Sequence, residues 1–393
     1  MPEISLLTWT VGIAALVIGI LAGHFGWGKR WPGSLSKLHP DYLTGLDYLV
    51  TEQPDRALDM FLKLMDANAD TIETHFSLGS LYRRRGEVER AIRIHQNLLA
   101  REALAPEHRE QALLALAQDY LRAGLLDRAE GLFQQVGEVP RLRASALDSL
   151  RGVYERQHEW RQALDVYRLL ARIKAAPPRL VAAHYLCELA GLAIAHGETN
   201  TARRLLREAR AEVSPLPRAA VLRAQIAEGE ADLPLAYRLL RTALHEAPKL
   251  LQEELPHLLR LVAPDARDTV LVELVAQAES RDPDELKRLV FAAILAGLTD
   301  AAPLRAPIDR VFAQDATLHA VWQSVPGPVD AGRAADAQRG DARRIAREIG
   351  ALLANAEKYR CNQCGFAGRN FYWHCPACHA WDSFEAYAIV KLG

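Results

Sequence analysis

The stretch Gly79-Ser-Leu-Tyr82-Arg-Arg-Arg-Gly86-Glu-Val-Glu-Arg-Ala91-Ile-Arg-Ile-His95 carries the pattern that decides the fold. A small residue is followed by an aromatic one and a glycine, then by a second small residue and a bulky one. The same set stands 34 residues earlier as Gly45, Tyr48, Ala57 and Phe61. After a four-residue insertion near Ala105 to His108 it returns as Ala117, Tyr120, Ala129 and Phe133, and 34 further on as Tyr154, Ala163 and Tyr167. A last pair, also 34 apart, is Ala193, Ala202 and Leu206 with Ala227, Ala236 and Leu240. Six units in phase place small residues where two helices approach closely and large ones in the space beside them. Gly86, Gly124 and Gly197 fall between the helices, where the turn needs φ freedom.

This period and residue pattern resemble the tetratricopeptide repeat, which implies two helices per unit and a right-handed α-solenoid whose extended concave face is lined mainly by the first helix of each pair. The expected superhelix runs over residues 38–325, and helices such as those around Leu258 to Val262 and Leu289 to Ile294 continue past Leu250 without a readable register. Phasing on the tyrosines puts Arg83, Arg84, Arg122 and Arg156 just after the first-helix core positions, as candidate groove residues for an acidic tail or terminal carboxylate. The same four positions also suit ordinary solvated helix ends. Cys187, between Leu186 and Glu188, reads as a small buried hydrophobe.

Before the repeats, Ile4 to Gly28 contains 25 residues without Asp, Glu, Lys or Arg. At about 1.5 Å per residue such a run crosses a hydrocarbon core of about 30 Å, so residues 1–28 read as a transmembrane anchor and 29–37 as a juxtamembrane segment. No basic region precedes the run, which argues against a cleaved signal peptide, whereas Lys29 and Arg30 follow it. The expected topology is single-pass, with the N-terminus outside and the bulk of the chain on the cytoplasmic side. Gly19 and Gly23 have the spacing that lets two membrane helices approach, a basis for a homo-oligomer.

Past the repeats, Pro326 to Gly340 has no Leu, Ile or aromatic residue and reads as a linker. A helix is expected over 341–357, with Ile345, Ile349, Leu352, Leu353 and Ala356 on one stripe. The chemistry concentrates in residues 358–393. Cys361-Asn362-Gln363-Cys364-Gly365-Phe366 and Cys375-Pro376-Ala377-Cys378 supply two CxxC pairs separated by ten residues, a set of thiolates suited to one tetrahedral metal ion. Zinc is the favoured ion and iron the alternative. So short a module lacks area for a full core, and metal binding, on the order of 10 to 16 kcal/mol in small zinc peptides, decides whether it folds. His374 and His379 flank ligands but read as neighbours, and Phe366, Trp373 and Trp381 are expected to form the small core beside the metal.

The composition narrows the function classes. With 48 basic and 49 acidic residues the formal net charge is −1, so no global field selects nucleic acid. The terminal module carries four Lys or Arg against two Asp or Glu, too slight a surplus for a zinc ribbon tracking phosphates. The chain shows no GxSxG, HExxH, phosphate-loop or GxGxxG motif, and no catalytic residues are assigned.

The runs Tyr359-x-Cys-x-x-Cys-Gly-Phe366 and Cys375-Pro376-x-Cys378 resemble the two knuckles of rubredoxin, with a much shorter interval between them than in the iron electron carriers. Anchor, repeats and rubredoxin-like module in this order, with Phe371-Tyr372-Trp373-His374-Cys375-Pro376 as the most specific stretch, resemble the lipopolysaccharide assembly protein B family over essentially the whole chain. That resemblance implies a non-enzymatic adaptor on the inner membrane that promotes degradation of the lipid A deacetylase LpxC by the membrane protease FtsH, with lipopolysaccharide-transport or sensing proteins as further partners. A rubredoxin-type electron carrier is the alternative from a different class.

Overall fold

Single helices of this sequence cannot bury their own apolar stripes, so they pair, and the pairs stack. The computed structural model describes residues 40–51, 53, 56, 57, 60, 72–298, 301–313 and 357–386. The anchor and juxtamembrane segment expected at 1–37, the linker expected at 326–340 and the helix expected at 341–357, save Glu357, lie outside the described residues. Among the described residues no helix is long and apolar enough to cross a membrane.

The helices are α1 (Pro40–Val50), α2 (Ile72–Arg84), α3 (Val88–Leu99), α4 (Pro106–Arg122), α5 (Leu126–Gly137), α6 (Arg143–Gln157), α7 (Trp160–Arg172), α8 (Arg179–Ala195), α9 (Thr199–Glu212), α10 (Pro217–Gly229) and α11 (Leu233–Glu246). They continue as α12 (Leu251–Arg260), α13 (Arg267–Arg281), α14 (Pro283–Leu295) and α15 (Arg305–Phe312). The chain divides within α6 into two compact units, one ending at Ala146 and the other beginning at Leu147.

The repeat turn recurs as one hydrogen-bond motif. Glu87 N–H donates to Tyr82 O at 2.9 Å, Leu125 to Tyr120 at 2.9 Å, Glu159 to Tyr154 at 2.9 Å, Glu198 to Ala193 at 2.8 Å and Asp232 to Ala227 at 2.9 Å. This is the closure of a helix end through a left-handed residue, which Gly86, Gly124 and Gly197 supply with φ of 82°, 76° and 76°. His158 and Ala231 fill the equivalent positions at φ 59° and 61°, so the turn survives without glycine when the flanking helices fix it. The register left open past Leu250 becomes readable at Gly297, where Leu298 N–H donates to Ala293 O at 2.9 Å, so α14 ends as the earlier first helices do.

In the first unit the bulky position of the quoted stretch is taken by His95, which is fully buried. Its Nδ1 lies 2.5 Å from Asp119 Oδ2, and Arg83 closes the group by donating to Asp119 Oδ1 at 2.7 Å and to the Ala115 carbonyl at 3.2 Å. In the second unit a continuous core runs from Val221 on α10 to Phe312 on α15. Cys187 is fully buried, and burial pushes its thiol up to about 12.

A Cβ added at Gly79 would lie 2.5 Å from the His95 ring, inside contact distance of a side chain already held by Asp119. Gly79→Ala is therefore expected to destabilise the first unit by about 1 to 3 kcal/mol, the range for overpacking a core, measured as a lower midpoint in denaturant unfolding. An unchanged midpoint would show that the α2–α3 crossing has slack.

Candidate metal centre and its seat on the repeats

Three short strands build the terminal module: β1 (Tyr359–Cys361), β2 (Ala367–Gly368) and β3 (Phe384–Ala386). They form an antiparallel sheet in the order β2-β1-β3, with Tyr359 opposite Gly368 on one side and Ala386 on the other. The two cysteine loops are near copies of one another. Gly365 N–H donates to Cys361 O at 3.0 Å, and His379 N–H donates to Cys375 O at 2.9 Å. Cys361 N–H reaches Phe366 O at 2.8 Å, and Cys375 N–H reaches Ala380 O at 2.9 Å. Both loops close through a left-handed residue, Gly365 at φ 76° and His379 at φ 60°. The requirement for Gly365 was legible in the sequence. That His379 occupies the matching position was not, because a histidine, though enriched among the few non-glycine residues at positive φ, carries too weak a signal to mark the position.

These loops bring Cys361, Cys364, Cys375 and Cys378 together, all four sulfur atoms lying within 4.8 Å of one another. The Cys361–Cys378 and Cys364–Cys375 sulfurs are 3.7 Å apart. A tetrahedral ion with sulfur ligands at about 2.3 Å has an edge of about 3.8 Å, so the donor set fits such an ion. Cys361 and Cys375 are buried, whereas Cys364 and Cys378 face solvent. Burial alone would raise the Cys361 thiol, but the hydrogen bond it shares with the Ser383 hydroxyl and those from the Cys364 and Gln363 amides bring it down to about 6. Cys378, though it faces solvent on one side, is pushed up to about 12 by the partial desolvation of its sulfur within the cluster and by its cysteine neighbours. Several thiolates side by side repel, and a divalent cation removes that repulsion. His374 and His379 stand outside the sulfur cluster.

The expectation that Phe366, Trp373 and Trp381 make the module's own core is corrected by the structure. That core is Tyr359, Cys361, Cys375 and Phe384, joined by Phe371, while Phe366 is 38% exposed. So small a module has no interior in which an indole N–H finds an acceptor, and both tryptophans turn to the repeats instead. Trp381 Nε1 donates to Glu155 Oε1 at 2.9 Å. The indole lies 5.0 Å from the His184 ring and nearly parallel to it, and edge-on to Trp160 at 5.7 Å and Tyr185 at 5.7 Å. His374 stacks on the same indole at 4.3 Å. Trp373 packs near His184, with the Arg218 guanidinium 5.7 Å from its ring centre.

The seat comes from the first helices of successive pairs. Glu155 is on α6, His184 and Tyr185 on α8 and Arg218 on α10. Glu155 is buried and its Oε1 also accepts from Arg151 at 2.8 Å and from the Tyr185 hydroxyl at 2.5 Å. Burial disfavours the charged forms of both donors, and Glu155 lies beside each. The outcome is a raised pKa for the Tyr185 hydroxyl and for Arg151 alike. Lys249 pairs with Asp382 at 2.8 Å and with Glu385 at 3.6 Å, its ammonium 5.7 Å from the Phe371 ring centre. None of these repeat residues stood out in the sequence, since each belongs to a helix face that an isolated repeat would leave in water.

The four arginines named from the repeat phasing fall in different surroundings. Arg83 is tied to Asp119, and Arg84 and Arg122 are exposed, all three in the first unit. Arg156, in the second, lies close enough to His379 for its charge to lower the imidazole pKa after burial has done so.

Fold and site together define a helical-repeat protein that carries a four-cysteine metal module docked on its own repeats. Residues 359–386 match the rubredoxin metal binding domain, and residues 74–110 match the tetratricopeptide repeat. Lipopolysaccharide assembly protein B of Escherichia coli K12 is 29% identical over 376 residues, spanning 93% of this chain and 95% of that protein. The Haemophilus influenzae protein of the same name is 27% identical over 390 residues, 93% of this chain and 96% of its own length. The chain is thus similar to lipopolysaccharide assembly protein B along nearly its whole length. Among solved structures, the C-terminal part of a repeat protein from Cytophaga hutchinsonii covers 68% of this chain and 98% of its own at 12% identity, with a TM-score of 0.41.

Removing the metal with a chelator is expected to unfold the module and release Trp381, seen as a change in tryptophan fluorescence, while the helical circular dichroism persists. A module that keeps its fluorescence without metal would show that the seat alone holds it. A second expectation concerns pH. His184 is fully buried, its Nε2 has no partner among the described residues, and burial, then the charges of Arg218 and Lys249 and the neighbouring His374, lower its pKa to about 3. Its unfolded value is about 6.5, so the unfolded chain binds the extra proton first. Its contribution is intact above about pH 6.5 and is lost as pH falls toward 3, at up to about 1.4 kcal/mol per pH unit. His184→Phe should flatten that part of the stability profile, and an unchanged profile would assign the slope to other groups.

Proposed function

We propose that this protein is a non-enzymatic adaptor in lipopolysaccharide assembly, held at the inner membrane by its N-terminal segment with the repeats on the cytoplasmic side. In this reading it presents the deacetylase LpxC to the membrane protease FtsH and so restrains lipid A synthesis. The likeness to lipopolysaccharide assembly protein B along 93% of the chain supports the assembly role. The observation that carries the non-catalytic part is the closed sulfur cluster: four cysteines complete a tetrahedral shell and leave no position for a substrate. Its metal acts as a staple for a module that the repeats then hold, and zinc suits that task because it has no redox chemistry.

An anchored repeat surface raises the effective concentration of a client beside a membrane protease, which needs no new chemistry. Cells lacking the chain should show a lengthened LpxC half-life, restored by the parent gene and not by Cys375→Ser, whose lost ligand unfolds the module. A normal half-life in the deleted cells would overturn the reading. The electron-carrier alternative rests on the solvent-facing Cys364 and Cys378. Metal analysis separates the two: colourless protein with about one zinc per chain fits the staple, and bound iron with a reversible visible spectrum would replace it.

A further inference from the structure

On a side of the second unit that the metal module does not use, α9, α10 and α11 enclose a cavity of about 290 Å³. Arg218 of α10 faces the module, and Arg223, five residues on, points about 140° away round the helix, into this cavity. The floor is apolar, built from Leu206, Ile226 and Leu239, and the rim carries Arg203, Arg207, Arg210 and Arg223. Glu230 pairs with Arg203. Among the described residues Arg207, Arg210 and Arg223 have no carboxylate partner. Arg223 is only partly exposed, and its burial together with the Arg210 charge pulls its pKa below the ordinary arginine value. Arg223, partly desolvated, and Arg210 repel one another over an apolar floor, with Arg207 lining the same cavity, a cost that a bound anion reverses.

We propose that this cavity binds a phosphate monoester carried on an acyl lipid. Charge decides the anion. A single carboxylate satisfies one guanidinium fork, whereas a phosphate monoester carries about −1.5 to −2 charges and three strong acceptor oxygens, enough for three arginines. The floor decides the remainder of the ligand. A phosphopeptide would lay backbone N–H and C=O groups on Leu206, Ile226 and Leu239, which offer them no partner, whereas an acyl chain asks only for apolar contact. Nothing in this assignment depends on the adaptor role.

The test uses the full chain in phosphatidylcholine nanodiscs, titrated with dihexanoyl phosphatidic acid and, in parallel, with dihexanoyl phosphatidylcholine, inorganic phosphate and a phosphotyrosyl peptide. Saturable binding of the phosphatidic acid is expected, at least about tenfold weaker in Arg210→Gln/Arg223→Gln, since each charged hydrogen bond lost is worth about a factor of ten or more. Arg207 is exposed, where substitutions usually change stability little, so Arg207→Gln should weaken binding in the same direction even if the double variant folds poorly. Equal binding by parent and Arg207→Gln chains would overturn the proposal. So would equal uptake of phosphatidylcholine, inorganic phosphate binding as tightly as the lipid, which would make this a free-phosphate site, or tighter binding of the phosphopeptide.

Discussion

The carboxylate of Glu155 is the constraint on which the second unit turns. A buried carboxylate is tolerated only when its lone pairs are satisfied. Here one oxygen accepts from Arg151, from Tyr185 and from Trp381, so two donors come from the repeats and the third from a residue 226 positions away in the metal module. Without Trp381 the site is a repeat helix with a partly satisfied charge and an uncovered patch of Trp160, His184 and Tyr185. With it, that patch becomes an interface with ring centroids 5.0 to 5.7 Å from the indole. Aromatic pairs of this kind contribute about 0.5 to 1.5 kcal/mol each beyond their buried area. Lys249, with Asp382 and Glu385, fixes the module at a second point, so its orientation is set as well as its position.

The metal and the seat depend on each other through short stretches of backbone. Trp381 lies three residues past Cys378, and His374 precedes Cys375. A bridge pairs His374 with Trp381, and Asp382 N–H donates to Trp373 O at 2.7 Å, so the aromatic pair is held by the same loop that supplies two of the sulfurs. A ligand set that closes this loop therefore places the indole, and an indole held by Glu155 reduces the freedom of the loop. Positive φ at His379 and at Asp382 belongs to the same tight return and is sustained by contacts from both sides.

Much of this was legible in the residues. The 34-residue period gave the helix pairs, because small residues at crossings and aromatics beside them leave a mark at fixed spacing: Ala91, Ala129, Ala163, Ala202 and Ala236 are all fully buried. The CxxC pairs gave the sulfur cluster for a similar reason, since ligand spacing is local. What stayed hidden is what depends on distance along the chain. Trp381 looks like core to anyone counting apolar residues near a metal, and only its partner on α6 shows that it belongs to an interface. His158 and Ala231 escaped notice as turn residues because the turn there is imposed by the flanking helices and not by the residue. The Tyr marker is last met at Tyr154, Ala193 and Ala227 taking its place, and past Leu250 the turn at Gly297 is recognisable only by its hydrogen bond from Leu298 to Ala293.

The seat also changes what the repeats of the second unit can offer. Repeat proteins of this architecture bind through the face of their first helices. Between α6 and α10 that face is already occupied by the chain's own module, whose aromatics fill the role a bound peptide side chain would play. A partner approaching there meets a composite surface: helix ends such as the exposed Arg156 beside the second cysteine loop, with Cys364, Cys378 and the half-exposed Tyr372 on the outside of the module. Such a surface exists only when the metal-bound fold and the repeat fold are both present. Losing a sulfur ligand would therefore remove the composite surface while leaving the helices intact, so the metal's structural task reaches beyond its own module to the face of the repeats.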